Sequence, residues 1–123
     1  ARPRPAVPER TSGFVLICDG RRLLLERRPP SGLWGGLLVP PEGAVDEVLG
    51  RLALVAKTRR ELAPLKHRFT HFRLTLLPVL CEVDASPGVA EAGLEWVETE
   101  RAADAGVPKP IRKLLRQVAS AAN

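Results

Sequence analysis

Two cysteines and two histidines are all that this 123-residue chain offers a soft metal. Four thiolates cannot come from Cys18 and Cys81, so any iron–sulfur or structural zinc site of the protein is expected outside this chain. Each cysteine lies in an apolar, strand-like run, the setting of a buried free thiol in a reducing cytoplasm. His67 and His71 are four apart, yet they flank a predicted strand end and have no Glu at the spacing of a zinc-protease motif. No metal site is predicted. No apolar stretch approaches the ~20 residues of a membrane span. Neither an initiator Met nor a basic-then-apolar leader is present, so the expectation is a cytoplasmic piece of a longer chain without a signal peptide. Gly32, Gly35 and Gly36 cluster around Trp34, but no Gly-Lys-Ser/Thr follows and no helix begins directly after them, which removes the phosphate-loop reading.

What is present fits one compact domain. Hydrophobic residues make up 45% and charged residues 27%, an ordinary globular mixture. The net charge of +5 is unevenly spread. From Lys57 to Arg73 six basic residues (Lys57, Arg59, Arg60, Lys66, Arg68, Arg73) meet one acid, Glu61, whereas from Glu82 to Asp104 seven acids meet one base. Such a split predicts a dipolar surface. A basic stripe is the footprint of a phosphate-backbone binder and equally the look of an ordinary solvated face.

Along the chain, ARPRPAVPER has linker composition, and residues 1–12 are read as a linker ahead of a domain at 13–123. The apolar run Gly13–Ile17, the Asp19-Gly20 turn signal and Leu23–Leu25 predict a β-hairpin. Pro29-Pro30-Ser31-Gly32 ends its second strand, and GLWGGLLVPPEG is too irregular for a long element. Val45, Val48, Leu49, Leu52 and Val55–Ala56 have helical spacing, so the helix is predicted over 45–57. Leu62–His67 and Phe72–Val83 read as strands joined by a turn at Phe69-Thr70-His71, with Pro78 marking a bulge or an edge. Leu94–Val97 is a short strand, Thr99 a cap for a following helical turn, and Pro108 or Pro110 opens a last helix through about Ala119. Arg112, Lys113 and Arg116 share one side of that helix, where a solvated face is the default and a phosphate contact the minority reading.

On the residues alone, the Phe69-Thr70-His71 turn fits a structural role best: Phe as core, Thr capping its own backbone. Trp34 reads as an aromatic beneath a glycine loop and Trp96 as core.

Several segments in order match one family. GLWGGL (32–37) after LLLERRPP, LKHRFTHFRLTL (65–76), and Trp96-Val97 followed by GVPKPIRKLL (106–115) together resemble the C-terminal domain of the MutY adenine DNA glycosylases, over about Phe14 to Leu115. The resemblance implies a single-domain α/β Nudix-like fold, a mixed β-sheet sandwiched by helices. It also implies a missing N-terminal glycosylase domain that holds a 4Fe-4S cluster and excises adenine, so that no catalytic residue and no cofactor is expected in this chain. The implied partners are that domain and double-stranded DNA containing 8-oxoguanine:adenine mispairs, with the protein a monomer. The implied contacts with DNA and lesion are Phe69, Thr70, His71, Lys66, Arg68 and Arg73. Oxidation at C8 turns N7 of guanine into a proton donor, which the Thr70 hydroxyl could accept. His71 would meet the base edge or a phosphate, and Phe69 would wedge against the stack or pack beneath the loop. The chain departs from the family at Leu38, Val39 and Pro40, where an aromatic, an acid and another hydrophobe are usual, and at Thr70, where Ser is commoner. The same fold allows two rivals, a protein-interaction module and a Nudix pyrophosphohydrolase. The hydrolases gather Mg²⁺ with a helix bearing Arg-Glu and then paired glutamates. Counted from Gly43, those positions hold Leu49, Lys57, Thr58, Glu61 and Leu62, so only Glu61 is an acid in register.

Overall fold

A computed structural model of the chain describes residues 8–84 and 93–121. In chain order the elements are β1 (Glu9–Cys18), β2 (Arg22–Arg27), β3 (Leu38–Val39), α1 (Val45–Leu52), β4 (Ala56–Glu61), β5 (Leu65–Arg68), β6 (Arg73–Val83), β7 (Leu94–Glu98), α2 (Thr99–Ala102) and α3 (Lys109–Ala121). β1 and β6 run parallel, in register from Glu9↔Arg73 to Cys18↔Glu82. β2 is antiparallel to β1 and also pairs with β3 and β7. The other side of β6 takes two antiparallel partners, β5 along its first half and β4 along its second. The result is one mixed sheet with β7 at one edge and β4 and β5 at the other.

The uninterrupted apolar runs follow from burial on both faces of the sheet. Phe14, Leu16, Leu23 and Leu25 point into one core with Ile111, Leu114, Leu115 and Val118 of α3 and Ala102 of α2. Val15, Ile17 and Leu24 alternate to the opposite core, with Val48, Leu49 and Leu52 of α1. Each fully buried aliphatic side chain contributes roughly 1.5–3 kcal/mol relative to exposure. The expected sheet between helices is what the chain forms. Cys18 and Cys81 pack against opposite cores, so the two thiols do not form a pair.

Several local expectations need correction. Residues 9–12 are not linker: they form the start of β1, held by the Arg73 N–H donating to the Pro8 carbonyl at 2.9 Å and by pairing with β6. The rest of that linker reading, 1–7, lies outside the described residues. The first hairpin turns one residue later than the Asp19-Gly20 signal, because Asp19 N–H bonds to the Arg22 carbonyl (3.1 Å) and leaves Gly20-Arg21 at the tip. α1 stops at Leu52, not at Lys57. Ala53 takes the left-handed conformation (φ 55°), and its N–H and that of Leu54 bond back to Gly50 and Leu49 in a Schellman-type closure. Val55, counted on the apolar helix face, is 84% exposed. β4 was not expected at all. Finally, Thr99 is the first residue of α2 rather than its cap, and its hydroxyl donates to the Arg21 carbonyl at 3.1 Å.

Pro78 marks neither an edge nor a bulge of β6. It sits where the partner of β6 changes, between Leu76 opposite Leu65 and Val79 opposite Glu61. Its carbonyl accepts the Leu62 N–H at 3.0 Å.

Candidate nucleic-acid interface

The β5–β6 hairpin is closed by the Phe69 N–H donating to the Phe72 carbonyl at 2.8 Å, which leaves Thr70 and His71 alone at the tip. Both are exposed. Among the described residues the Thr70 hydroxyl has no protein partner, so it does not cap its own backbone. Strand alternation separates the hairpin's two faces. Leu65 and His67 share a face with Leu74 and Leu76. Lys66 opposite Thr75 and Arg68 opposite Arg73 occupy the other face, where the parallel register sets Glu9 beside Arg73 and Thr11 beside Thr75. This is the face that α1 covers further along, over Val15, Ile17, Cys81 and Val83. Toward the start of β1 the helix no longer reaches, and the bare sheet forms a cleft of about 320 Å³ lined by Glu9, Lys66, His67, Arg68, Arg73 and Thr75.

Aromatic packing supports the tip from below. Phe69 stacks on Phe72 (centroids 4.5 Å apart, planes at 17°), and His67 meets Phe69 edge-on at 4.7 Å. Trp34 bridges Phe69 (6.0 Å) to Phe14 in the core (6.3 Å). The Arg10 guanidinium lies 4.7 Å from the Phe72 ring centre, a cation–π contact. Of the two roles open to Phe69, packing beneath the loop is the one its half-buried position fills. Trp34 holds a left-handed backbone (φ 56°), uncommon for a bulky residue. Arg10 was missed in the sequence because a proline-rich context reads as linker. Only the parallel pairing with β6 reveals it.

The basic segment that looks continuous in sequence is divided in space. Lys66 and Arg68 make no ion pair among the described residues, and Arg73 has only a long contact to Glu9 (3.9 Å). Lys57 is held by Asp84 (3.2 Å) and Arg59 by Asp46 (2.6 Å). The hydrogen bond that Arg59 donates to the Asp46 carboxylate raises the Arg59 pKa against the opposing effect of desolvation, so that cation already has a partner within the protein. Arg60, opposite Leu80, alternates to the far face of the sheet. The structure therefore gathers Lys66, Arg68 and Arg73 and separates the other three.

Chemistry other than binding has little to work with here. Among the described residues no three His, Cys, Asp or Glu side chains converge as metal ligands. At the positions of the Nudix hydrolase motif, Leu49 is buried in the core, while Lys57 (the Arg position), Thr58 and Glu61 lie along β4. Burial pushes the Cys81 thiol up, which keeps it protonated and a poor nucleophile.

A model of the NUDIX domain matches residues 13–117. The chain belongs to the NUDIX domain family. Within the family it is similar to an adenine DNA glycosylase of Buchnera aphidicola subsp. Schizaphis graminum, 21% identical over 122 residues. That alignment takes in 93% of this chain and 35% of the relative, so the chain spans about a third of the curated protein it matches. Among solved structures it resembles the C-terminal domain of mouse MUTYH, determined in complex with human PCNA. The TM-score is 0.70 at 24% identity, covering 90% of this chain and 88% of that one. A Nudix hydrolase from M. smegmatis, RenU, superposes with a TM-score of 0.62 at 19% identity, covering 90% and 86%. The MUTYH domain and the hydrolase RenU share this architecture, so the fold by itself does not give the function. No helix among the described residues is long and apolar enough to cross a membrane.

Proposed function

We propose that this chain is the lesion-recognition domain of an adenine DNA glycosylase, binding duplex DNA through the β5–β6 hairpin and reading 8-oxoguanine with Thr70. The observation that carries this reading is the hairpin tip. Thr70 and His71 project alone, the Thr70 hydroxyl is uncommitted, and Lys66, Arg68 and Arg73 flank it on one sheet face. Phosphate contacts by the three cations would position the domain, while the hydroxyl accepts the N7 proton that only the oxidised base presents. His71 contacts the exposed base edge or an adjacent phosphate, and Phe69 acts from beneath, through the stack with Phe72. The name of the Buchnera relative and the likeness to the MUTYH domain support the parent activity.

In this reading the remainder of the protein removes adenine and holds the 4Fe-4S cluster, for which Cys18 and Cys81 are too few and lie on opposite faces of the sheet. The domain works as a monomer in the bacterial cytoplasm, on duplexes with 8-oxoguanine:adenine mispairs. A hydrolase reading has no supporting observation at the site.

The test is acceptor removal at constant shape. In the complete glycosylase Thr70→Ser should be near neutral, while Thr70→Val should lose roughly 1–3 kcal/mol of preference for 8-oxoguanine:adenine over guanine:adenine. The melting temperature should hardly move, since Thr70 is exposed and its hydroxyl has no partner among the described residues. A wild-type ratio for Thr70→Val on the two mispairs would reduce the tip to a plain turn.

A further inference from the structure

The outer face of α3 presents a second cationic surface. Lys109, Arg112, Lys113 and Arg116 are exposed, while Ile111, Leu114 and Leu115 are buried at 1% or less. With Gln117 and Ser120 the four cations form one continuous exposed ridge along the helix. The helix sequence KPIRKLLRQVASA contains no acid. Among the described residues none of the four makes an ion pair, whereas Arg22, Arg27, Arg28, Arg51, Lys57 and Arg59 each hold a carboxylate.

Folding does not explain this arrangement. Lys109 and Lys113, and again Arg112 and Arg116, are like charges four residues apart on one helix face, a spacing that destabilises the helix. Three of the four lie in its N-terminal half, with Lys109 in the first turn, where the helix dipole favours anions. An anionic partner would relieve both penalties. The ridge contains no aromatic or aliphatic anchor of the kind that dominates protein interfaces, and a phosphodiester chain needs none. Lys109 to Arg116 spans about 10 Å along the helix axis, enough for roughly three successive phosphates of one DNA strand.

We propose that the outer face of α3 is a second DNA-backbone-binding surface, one that engages phosphates without reading bases. It lies across the sheet from the Lys66–Arg68–Arg73 face, because α3 packs on the core opposite the one that α1 covers. One straight stretch of duplex therefore does not meet both surfaces at once. The anionic chemistry is independent of the lesion reading, and the choice of duplex DNA as its source rests on the proposed function.

The experiment measures binding of a short lesion-free duplex to the full chain across salt concentrations. The variants are Lys109→Ala/Arg112→Ala/Lys113→Ala/Arg116→Ala, the charge-preserving Arg112→Lys/Arg116→Lys, and Lys66→Ala/Arg68→Ala. The fourfold alanine variant should bind at least about tenfold more weakly at low salt, with a salt slope shallower by about one unit per cation that reaches a phosphate. It should melt no lower than wild type, because like-charge repulsion is removed. The charge-preserving variant should bind as wild type does. Unchanged affinity and slope in the fourfold variant would overturn the proposal, as would absence of duplex binding by the wild-type chain at low salt. Loss of binding to a poly-glutamate peptide with duplex binding intact would overturn it in favour of an acidic protein partner. Lys66→Ala/Arg68→Ala separates the two surfaces: if it alone weakens binding, the hairpin face stands and the α3 surface falls.

Discussion

Asp19 shows how much a single side chain does in the first hairpin. Burial alone would raise its carboxyl pKa, but Arg22 and the backbone N–H groups of Arg22 and Arg21 donate hydrogen bonds that hold it below the ordinary 3.8. The Arg22 guanidinium reaches Oδ2 at 2.7 and 3.0 Å, and the Arg22 N–H reaches Oδ1 at 2.9 Å. The depressed folded-state value means that the carboxylate stabilises the fold above pH 3.8 and loses that effect as the pH falls through the folded value. Asp19→Asn is therefore expected to lower stability by about 1–3 kcal/mol at neutral pH. The gap from wild type should close on acidification below the unfolded value. Chemical denaturation across pH checks this, and a gap constant down to the most acidic points would mean that the charge of Asp19 is irrelevant. The same residue explains the one-residue offset of the turn: its side chain replaces its carbonyl as the acceptor for the Arg22 N–H.

Among the elements, the 32–37 segment couples the core to the tip of the β5–β6 hairpin, because Trp34 touches both Phe14 and Phe69. Its geometry depends on Gly35, where an added Cβ would overlap the Pro30 carbonyl, a backbone group that cannot swing aside. Gly35→Ala should cost about 1–3 kcal/mol and shift tryptophan emission as Trp34 leaves its contacts. An unchanged melt with native emission would show that the loop relaxes freely. Elements were legible in the sequence in proportion to their burial. β2 and the second half of β1 announce themselves because both faces of the sheet are covered there, which leaves apolar runs with no polar alternation, and β6 does so by its length of Leu, Val and Thr. β4 is invisible for the opposite reason: AKTRRE has one half-buried residue and five exposed ones, and only pairing with β6 makes it a strand. The same blindness let the predicted helix run on to Lys57, since Val55 and Ala56 extend the apolar period although the chain has already turned away. At the site, the tip residues and Lys66, Arg68 and Arg73 were named from the segment that carries the family likeness. The division of the basic stretch between two faces was not legible, because it depends on strand register. Proline-rich composition hid Arg10 in what reads as linker.

On the scale of the whole molecule, the sheet sets the hairpin cations at the edge opposite β7, whose Glu95 and Glu98 are held by Arg27 (3.2 Å) and Arg101 (3.4 Å). The acids of β7 thus lie across the sheet from the hairpin cations, whereas Asp84, from the same acidic segment, sits against Lys57 beside β4. The architecture itself is shared with hydrolases, so the decisive question is whether the fold still carries their chemistry. Pyrophosphate cleavage needs hard cations held by several carboxylate oxygens at once. Here Leu49 is committed to the core beneath the sheet, where an ionised carboxylate would be costly. Lys57 and Thr58 supply no carboxylate, and Lys57 is drawn to Asp84 instead. Glu61 stands at the end of an exposed edge strand, and one carboxylate leaves most of the coordination shell of a magnesium ion to water. The chain should accordingly show no magnesium-dependent turnover of nucleoside di- or triphosphates above the background reaction, even with the metal in excess and with the protein fully folded by its thermal melt. Release of phosphate or pyrophosphate that vanishes in Glu61→Gln while the melt stays intact would establish a working hydrolase site. It would also return the β5–β6 face to an accessory role in holding a nucleotide's phosphates.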